Sequence, residues 1–287
     1  MNFLENEQLK VSISSKGAEL KSIIHKQSNF EFLWQADANV WGRTAPILFP
    51  VVGKPFNNQL LVDGNLYEMP QHGFARDWHF EVRENTGTKI VFSLTSTTET
   101  LNIYPFHFDL RLSYTLTANT VECGYEVINC GTDKMFFSIG AHPGFNLPSK
   151  NLSDYFIEFE AEENDQRYLL TDGLLNGISE TILLQSNKLQ LDKSLFDKDA
   201  IVLKNLKSKK IKLCSKTSHH KIEMTWNDFA YLGIWSKKDC EHFICLEPWC
   251  GIAGSVGEQI EMEAKEGTNT ILPNQKFERK YTMSFYI

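Results

Sequence analysis

The sequence has no excess of basic residues and no long apolar run. Its 29 Lys and Arg are outnumbered by 36 Asp and Glu, and the formal net charge is −7. The one basic cluster, within residues 207–212, falls in a strand-like segment, where it indicates a solvated face and not a nucleic-acid site. The N-terminus lacks a basic stretch followed by an apolar one, and no later run could span a bilayer. We therefore expect a cytoplasmic protein that binds neither nucleic acid nor membrane.

Nucleotide and metal motifs are also missing. The six cysteines form no Cys-x-x-Cys pair and have no histidine at zinc-finger spacing, so free thiols are expected. Gly251, Gly254 and Gly257 are evenly spaced, but no βαβ unit surrounds them, as a phosphate-binding loop would require. His219 precedes Glu223 in a strand-like segment and not on the helix of a zinc protease motif. The sequence therefore predicts no metal and no cofactor.

Short strand patterns fill most of the chain. Residues 78–84 with 89–96, and 108–116 with 121–128, flank polar turns and predict two β-hairpins. Helical periodicity is nearly absent, and no linker rich in Pro, Gly or Ser divides the 287 residues. With 42% apolar residues, 20 of them phenylalanine, the chain is long enough for a large core. We predict one all-β domain over residues 1–287, folded as a large antiparallel β-sandwich.

Four segments place polar side chains where loops or strand ends are expected. One is an irregular apolar stretch over residues 41–54, which two prolines exclude from a central strand and which predicts a wall of packed loop. The other three are short motifs around a histidine or a glutamate. The candidate side chains of the four segments are, in chain order, Arg43 and Lys54, His72 and Arg76, His142, and Glu247.

His142 and Glu247 are the two candidates that most resemble a catalytic pair. Each follows an apolar run and precedes a proline, in Gly-Ala-His-Pro-Gly-Phe and in Phe-Ile-Cys-Leu-Glu-Pro-Trp. A carboxylate in so apolar a setting needs a partner or acquires a shifted pKa. Taken singly, His142 could simply hydrogen-bond a loop carbonyl, and Glu247 could accept hydrogen bonds from backbone N–H groups at a strand end. Together they indicate a general acid and a general base. A retaining glycosidase would instead use two carboxylates.

The chain resembles the aldose 1-epimerase, or galactose mutarotase-like, family. The resemblance rests on Gln71-His72-Gly73-Phe74-Ala75-Arg76, on Gly140-Ala141-His142-Pro143-Gly144-Phe145-Asn146-Leu147, on Leu232-Gly233-Ile234-Trp235 and on Leu246-Glu247-Pro248-Trp249. It extends through nearly the whole chain and is strongest to the bacterial branch whose genes lie near sugar operons. The fold that it implies is the galactose mutarotase-like supersandwich, which agrees with the strand pattern.

The resemblance implies an enzyme that interconverts the α and β anomers of a hexose or a related sugar. It implies that Glu247 is the base, that His142 is the acid and that His72 helps to hold the sugar. Asp199 matches the family's sugar-binding aspartate. Lys54 falls where well-studied members have an arginine, and Arg43 or Arg76 could supply that arginine's bidentate fork instead. The expected assembly is a monomer or a homodimer.

The residue types leave two alternatives open. Arg43, Lys54 and Arg76 could grip a phosphate, which would make the substrate a hexose phosphate. A sugar-binding sandwich that has lost catalysis is the other alternative, although binding alone does not require an acid facing a base.

The chemistry sets two further expectations. At reference pKa values of about 4.3 and 6.5, Glu247 would be ionised near neutrality, and His142 would need a modest upward shift of its pKa to act as an acid. Trp249, Phe74 and Phe145 could stack on a pyranose, although each is equally a core candidate.

Overall fold

Antiparallel strands make up most of the protein. The computed structural model describes residues 1–257 and 259–287. In the first half of the chain the strands are β1 (Asn2–Glu5), β2 (Leu9–Ile13), β3 (Leu20–His25), β4 (Phe30–Glu31), β5 (Gln59–Val62), β6 (Asn65–Glu68), β7 (Glu81–Asn85), β8 (Lys89–Thr95), β9 (Phe108–Thr117), β10 (Thr120–Asn129), β11 (Met135–Phe137), β12 (Ile139–Gly140) and β13 (Gly144–Asn146). In the second half they are β14 (Tyr155–Thr171), β15 (Leu174–Gln190), β16 (Ile201–Leu203), β17 (Lys210–Ser215), β18 (Lys221–Trp226), β19 (Tyr231–Trp235), β20 (Phe243–Cys250), β21 (Asn269–Ile271) and β22 (Lys276–Tyr286).

Helical structure is limited to short segments. The α-helix α1 spans Thr98–Leu101, and Thr97 caps it by accepting a hydrogen bond from the backbone N–H of Thr100. The 3₁₀ turns span Phe56–Asn58, Ala75–Asp77, Leu152–Asp154 and Lys193–Phe196. Among the described residues, no helix has the length and apolar character needed to cross a bilayer.

One large sheet forms the centre of the molecule. Its strand order is β12-β20-β19-β16-β14-β17-β18-β22-β10-β9-β8-β7, with β13 also paired to β20 and β15 to β14. In β10 every second residue, from Val121 to Asn129, is buried, because successive side chains of a strand point to opposite faces. A second sheet, β1 to β4, covers part of the large one: the Tyr114 hydroxyl donates to the Ala18 carbonyl at 2.7 Å, and the Phe32 and Phe285 rings lie 4.8 Å apart. The prediction of an all-β antiparallel sandwich is confirmed.

The two predicted hairpins and the packed loop are present. β7 pairs with β8 and β9 pairs with β10, both antiparallel. Residues 41–54 contain no named strand, and isolated bridges, such as Leu48 to Gly140 and Phe49 to Gly73, are among the contacts that join them to the rest. This loop covers the end of the large sheet where β12, β13 and β20 meet.

The long hairpin of β14 and β15 was not predicted at its full length. Its arms have 17 residues each, whereas the sequence pattern predicts a strand only over residues 155–161. The pattern fails beyond that point because Glu163, Asp165 and Arg167 are polar yet buried. Glu163 accepts hydrogen bonds from the backbone N–H groups of Lys207 and Ser208, so its carboxylate anchors the neighbouring loop.

Candidate active site

The sheet register places His142 opposite Glu247. β12 pairs Gly140 with Trp249, and β13 pairs Gly144 with Cys245, in one continuous antiparallel register along β20. Between the two short strands the chain leaves the ladder, but Ala141 still donates its N–H to the Pro248 carbonyl at 3.1 Å. The histidine therefore lies in the short gap between β12 and β13, across from the glutamate. β20 continues through Cys250, so Glu247 lies within a strand and not at the strand end that the sequence predicts.

The two side chains are in direct contact. His142 Nε2 and Glu247 Oε2 are 3.3 Å apart, and only 8% and 1% of the two residues is exposed. His142 Nδ1 and Glu247 Oε2 are both buried without a hydrogen-bond partner among the described residues. A buried polar atom left unpaired costs about 1–3 kcal/mol. The pair is therefore built for a polar ligand that supplies the missing hydrogen bonds.

Burial sets the protonation of this pair. Burial lowers the pKa of His142 to about 3, and burial raises the pKa of Glu247 well above its ordinary 4.5. The expected upward shift of the His142 pKa is wrong. Losing water disfavours the imidazolium more than a backbone hydrogen bond favours it, and the positive charges of Arg76 and Arg43 lower the pKa further. Burial therefore favours the uncharged form of each side chain, the imidazole of His142 and the carboxylic acid of Glu247.

His72 meets the pair from a strained turn. It has φ +66°, and the following Gly73 has φ +73°, with its Cα so near the Phe49 carbonyl that a Cβ would lie 2.1 Å from that oxygen. His72 Nδ1 accepts a hydrogen bond from the Gly53 N–H at 3.1 Å, which leaves the proton of the neutral ring on Nε2. Burial holds the pKa of His72 well below 6.5. The ring centroids of His72 and His142 are 5.5 Å apart.

A cavity of about 300 Å³ opens above these side chains. Of the residues predicted from the sequence, those that line it are Arg43, His72, Arg76, His142, Asp199, Glu247 and Trp249. Lys54 is not among the described residues that line it; its Nζ instead donates to the Asp172 carbonyl at 3.1 Å. Asp199 has φ +70° in the turn before β16, and its carboxylate accepts a hydrogen bond from the Ala200 N–H.

Trp249 forms an apolar wall of the cavity because two glycines make room for it. A Cβ added at Gly140 would lie 2.5 Å from the Trp249 ring, and one added at Gly233 would lie 2.4 Å from it. The indole N–H donates to the Ala141 carbonyl at 3.1 Å, which fixes the ring beside the His142 loop. Phe74 and Phe145, the other stacking candidates, are 4% and 0% exposed and belong to the core.

Sequence reasoning did not single out two tryptophans of the site. Trp41 stacks on the His142 ring with centroids 4.9 Å apart and an interplanar angle of 26°, and Trp235 approaches the same ring edge-on at 5.7 Å. Both line the cavity. The only signal in the sequence was their presence within two of the motifs, where a tryptophan is as readily a core residue.

Two arginines share one carboxylate at the rim of the cavity. Arg43 Nη2 donates to both oxygens of Asp77 at 3.1 Å, and Arg76 Nε lies 3.8 Å from the same carboxylate. Arg76 Nη2 donates to the Gln71 carbonyl, while its buried Nε has no hydrogen-bond partner among the described residues. Burial lowers the pKa of Arg76 to about 10, which still leaves it charged at neutral pH. Arg43 and Arg76 also line an adjoining groove of about 510 Å³ that contains Lys16 and Lys21.

Comparison with known proteins places the chain among proteins with this arrangement of strands. A family model described as aldose 1-epimerase matches residues 3–263. The chromosomal protein LacX of Lactococcus lactis is 35% identical over 293 residues, which is 98% of each chain. A galactose mutarotase related enzyme from Lactobacillus acidophilus has 33% identity and a TM-score of 0.95, over 100% of this chain and 97% of the other. A galactose mutarotase-like protein from Lactobacillus casei has 32% identity and a TM-score of 0.95, over 100% of both chains. The fold, the match across residues 3–263 and these relatives together show that the chain belongs to the aldose 1-epimerase family.

Proposed function

We propose that this aldose 1-epimerase acts on a neutral hexose, with Glu247 as general base and His142 as general acid. The observation that carries the proposal is the contact of His142 Nε2 with Glu247 Oε2 at 3.3 Å on the floor of a sugar-sized cavity. An acid and a base held this close can serve the ring oxygen and the C1 hydroxyl of one pyranose, which are bonded to the same carbon.

The reaction needs one proton on the pair. The Glu247 carboxylate takes the proton of the C1 hydroxyl, the C1–O5 bond breaks as the C1 carbonyl forms, and the His142 imidazolium protonates O5. Rotation about C1–C2 and the reverse steps then give the other anomer. Before ring opening the proton is on His142, and afterwards it is on Glu247, so the pair is electrically neutral at both stages. This neutrality suits a buried site, where a net charge is costly.

Burial favours the second of these stages, in which the proton is on Glu247. A bound pyranose supports the first stage, because its C1 hydroxyl donates to the carboxylate and its ring oxygen accepts from the imidazolium. The proton has only 3.3 Å to cross between the two side chains. Substrate binding therefore prepares the pair for ring opening.

The other cavity residues suit the hydroxyl groups and the apolar face of a hexose. His72 offers an Nε2–H donor, since its Nδ1 is already an acceptor for Gly53. Asp199 offers carboxylate oxygens, and Arg76 has guanidinium donors at the rim. Trp249 provides a flat apolar wall on which the C–H face of a pyranose can pack. We propose these four as sugar-binding residues, whereas Lys54 lies outside the cavity and contributes only to its surroundings.

A hexose phosphate is the second candidate substrate, and the cationic rim is the observation that favours it. Arg43, Arg76 and Lys16 lie around a single carboxylate, that of Asp77, at distances of 3.1, 3.8 and 4.0 Å. The rim therefore has a surplus of positive charge beside the cavity. We rank the neutral sugar first because Asp77 already occupies the donor face of Arg43.

Polarimetry of freshly dissolved sugars tests both parts of the proposal. We expect the protein to accelerate the equilibration of α-D-galactose or α-D-glucose well above buffer, and to act less efficiently on the corresponding hexose 6-phosphate. His142→Asn and Glu247→Gln should each lower kcat by about 10²- to 10⁴-fold. A preference for the phosphate would replace the substrate, and full activity of either variant would refute the assigned roles.

Three further expectations, on domain organisation, assembly and location, stay proposals. We propose that residues 1–287 form one domain, that the protein is a monomer or a homodimer, and that it works in the cytoplasm. The six free cysteines support a reducing compartment. Limited proteolysis and light scattering would test the first two, and fractionation of the source cells would test the third.

A further inference from the structure

A third side chain with a metal-binding atom lies against the acid and the base. The ligand atoms of His142, Cys245 and Glu247 all lie within 4.8 Å of one another, and all three residues are buried. We propose that these residues form a binding site for a thiophilic divalent cation such as Zn²⁺, and that the bound cation inhibits the enzyme.

The sheet builds this cluster directly. Cys245 and Glu247 are two residues apart on β20, so their side chains leave the same face of the strand. His142 faces them from the short gap between β12 and β13, and Gly144 of β13 pairs with Cys245. Thiolate sulfur, imidazole nitrogen and carboxylate oxygen are the ligands that Zn²⁺ takes in proteins. The cluster thus combines the right atoms on a rigid part of the fold.

The distances suit a tetrahedral ion. Two ligands at about 2.0–2.1 Å from a tetrahedral Zn²⁺ lie about 3.3–3.4 Å from each other. His142 Nε2 and Glu247 Oε2 are already 3.3 Å apart. The sulfur lies within 4.8 Å of both of these atoms, and His142 and Glu247 line the cavity. Such a site would hold the cation by three protein ligands and leave one position for water.

An independent observation also points to a ligand here. Glu247 Oε2 is buried without a hydrogen-bond partner among the described residues, and only 1% of the residue is exposed. A sugar hydroxyl would satisfy this oxygen, and so would a cation. Cys245 favours the cation over the sugar hydroxyl, because the proposed sugar reaction makes no use of a thiol. The cysteine is 0% exposed. A cation held by the sulfur as well as the oxygen would explain all three side chains together.

Inhibition follows from the lone pairs that the cation would occupy. Binding displaces the thiol proton of Cys245 and the single proton of the acid–base pair into solvent. The carboxylate then has no free basicity for the C1 hydroxyl, and the imidazole carries no proton for the ring oxygen. Since protons compete with the cation, inhibition should weaken as the pH falls. This last step rests on the proposed roles of His142 and Glu247, whereas cation binding itself does not.

Cys240 provides a matched control. It lies with Cys245 in one apolar cluster with Trp34 and Phe243, and it is 9% exposed, but it is not part of the three-residue group. The experiment compares the wild type, Cys245→Ser and Cys240→Ser. Each is titrated with Zn²⁺ during polarimetric mutarotation, with Mg²⁺ as a cation that does not favour sulfur. Cys245→Ala serves as a second variant if the serine variant does not fold.

Absorption of the Co²⁺-loaded proteins gives a readout besides activity. We expect Zn²⁺ to inhibit the wild type and Cys240→Ser alike, and to inhibit the Cys245 variants at least about tenfold more weakly, since a lost zinc ligand is costly. We also expect a thiolate-to-Co²⁺ charge-transfer band that the Cys245 variants and His142→Asn lack. The absence of inhibition and band, or equal inhibition of the Cys245 variants, would overturn the proposal. A band through Cys245 with undiminished mutarotation would support the cation site and refute the assigned catalytic roles.

Discussion

Ionisable side chains on the floor of the cavity and at its rim differ in whether their surroundings favour the charged form. On the floor, His142 and Glu247 are in contact, yet burial lowers the pKa of the first to about 3 and raises the pKa of the second, so burial favours the uncharged form of both. At the rim, Arg43 and Asp77 form an ion pair whose side chains are 30% and 47% exposed. Both contacts join a basic to an acidic side chain at 3.1–3.3 Å, and they differ in how far water reaches them.

The comparison separates two tasks. On the floor, desolvation favours the uncharged forms of both side chains over the ion pair, and a bound substrate can move a proton between them. At the rim, water and salt screen the charges, so the ion pair contributes little energy and can be exchanged for another partner. We infer that the floor determines the reaction and that the rim tunes the choice of substrate.

Breaking the floor should have the largest effect. Glu247→Gln and His142→Asn should each lower kcat by about 10²- to 10⁴-fold. The kcat of the double variant should be scarcely lower than that of the slower single variant. The reason is that the two side chains act on one proton, so that losing either already disables both. Rates from polarimetry at saturating sugar measure the effect. Additive losses in the double variant would contradict a shared proton.

The floor should also leave a mark on stability. Below its ordinary pKa of 6.5, His142 binds a proton only when the chain is unfolded, so stability falls with falling pH. Above its ordinary pKa of 4.5, Glu247 keeps a proton only when the chain is folded, so stability falls with rising pH. The two effects therefore offset each other in the wild type where the two pH ranges overlap.

Single variants remove that cancellation. Between pH 4.5 and 6.5, and relative to the wild type, His142→Asn should lose up to about 1.4 kcal/mol of stability per pH unit as the pH rises. Glu247→Gln should lose a similar amount as the pH falls. Urea unfolding across this range measures both slopes. The buried His72 adds the same pH dependence of stability to the wild type and to both variants. The result is therefore read from the differences between these proteins. Parallel curves would contradict the neutral pair.

The sequence predicted the strands and the meeting of His142 with Glu247 better than it predicted the electrostatics of these two side chains. Turn residues were sufficient for the two hairpins of β7 to β10, and in β9 and β10 alternation also marked a buried and a more exposed face. The histidine and glutamate were found because each interrupts an apolar run before a proline. Their neutral state was not predicted, since burial depends on the loop with Trp41 that covers His142.

Contacts between distant segments explain the remaining differences. The polar half of β14 resembles a loop in sequence, and only the fold shows that Glu163 binds the backbone of residues 207–208. The role of Asp77 at the rim depends on Arg43, 34 residues earlier in the chain. No local pattern announces such partners, because each side chain is ordinary on its own.

The apolar wall formed by Trp249 can be displaced without changing any charged residue. Gly233→Ala would place a Cβ 2.4 Å from the Trp249 ring, so the indole must shift. We expect a loss of about 1–3 kcal/mol in stability and a raised KM with a smaller change in kcat. Gly124→Ala is the control within the same sheet, because its Cβ would meet only the hydroxyl of Ser113, which can rotate away. An unchanged KM in Gly233→Ala would show that Trp249 does not contact the sugar.

The smallest effect is expected at the rim. Asp77→Asn leaves Arg43 and Arg76 without their shared carboxylate, so an anionic substituent on the substrate should be received more readily. Because exposed ion pairs contribute about 0.2–1 kcal/mol, KM for a hexose 6-phosphate should fall by up to about fivefold, while KM for the free hexose stays nearly constant. Added salt should shrink the difference, since it screens exposed charges. Glu263→Gln is a matched control, because it removes a similarly exposed carboxylate from an ion pair with Lys134. A fall in KM for the neutral sugar of the same size would mean that Asp77 shapes the cavity itself, and the separation of reaction from substrate choice would then fail.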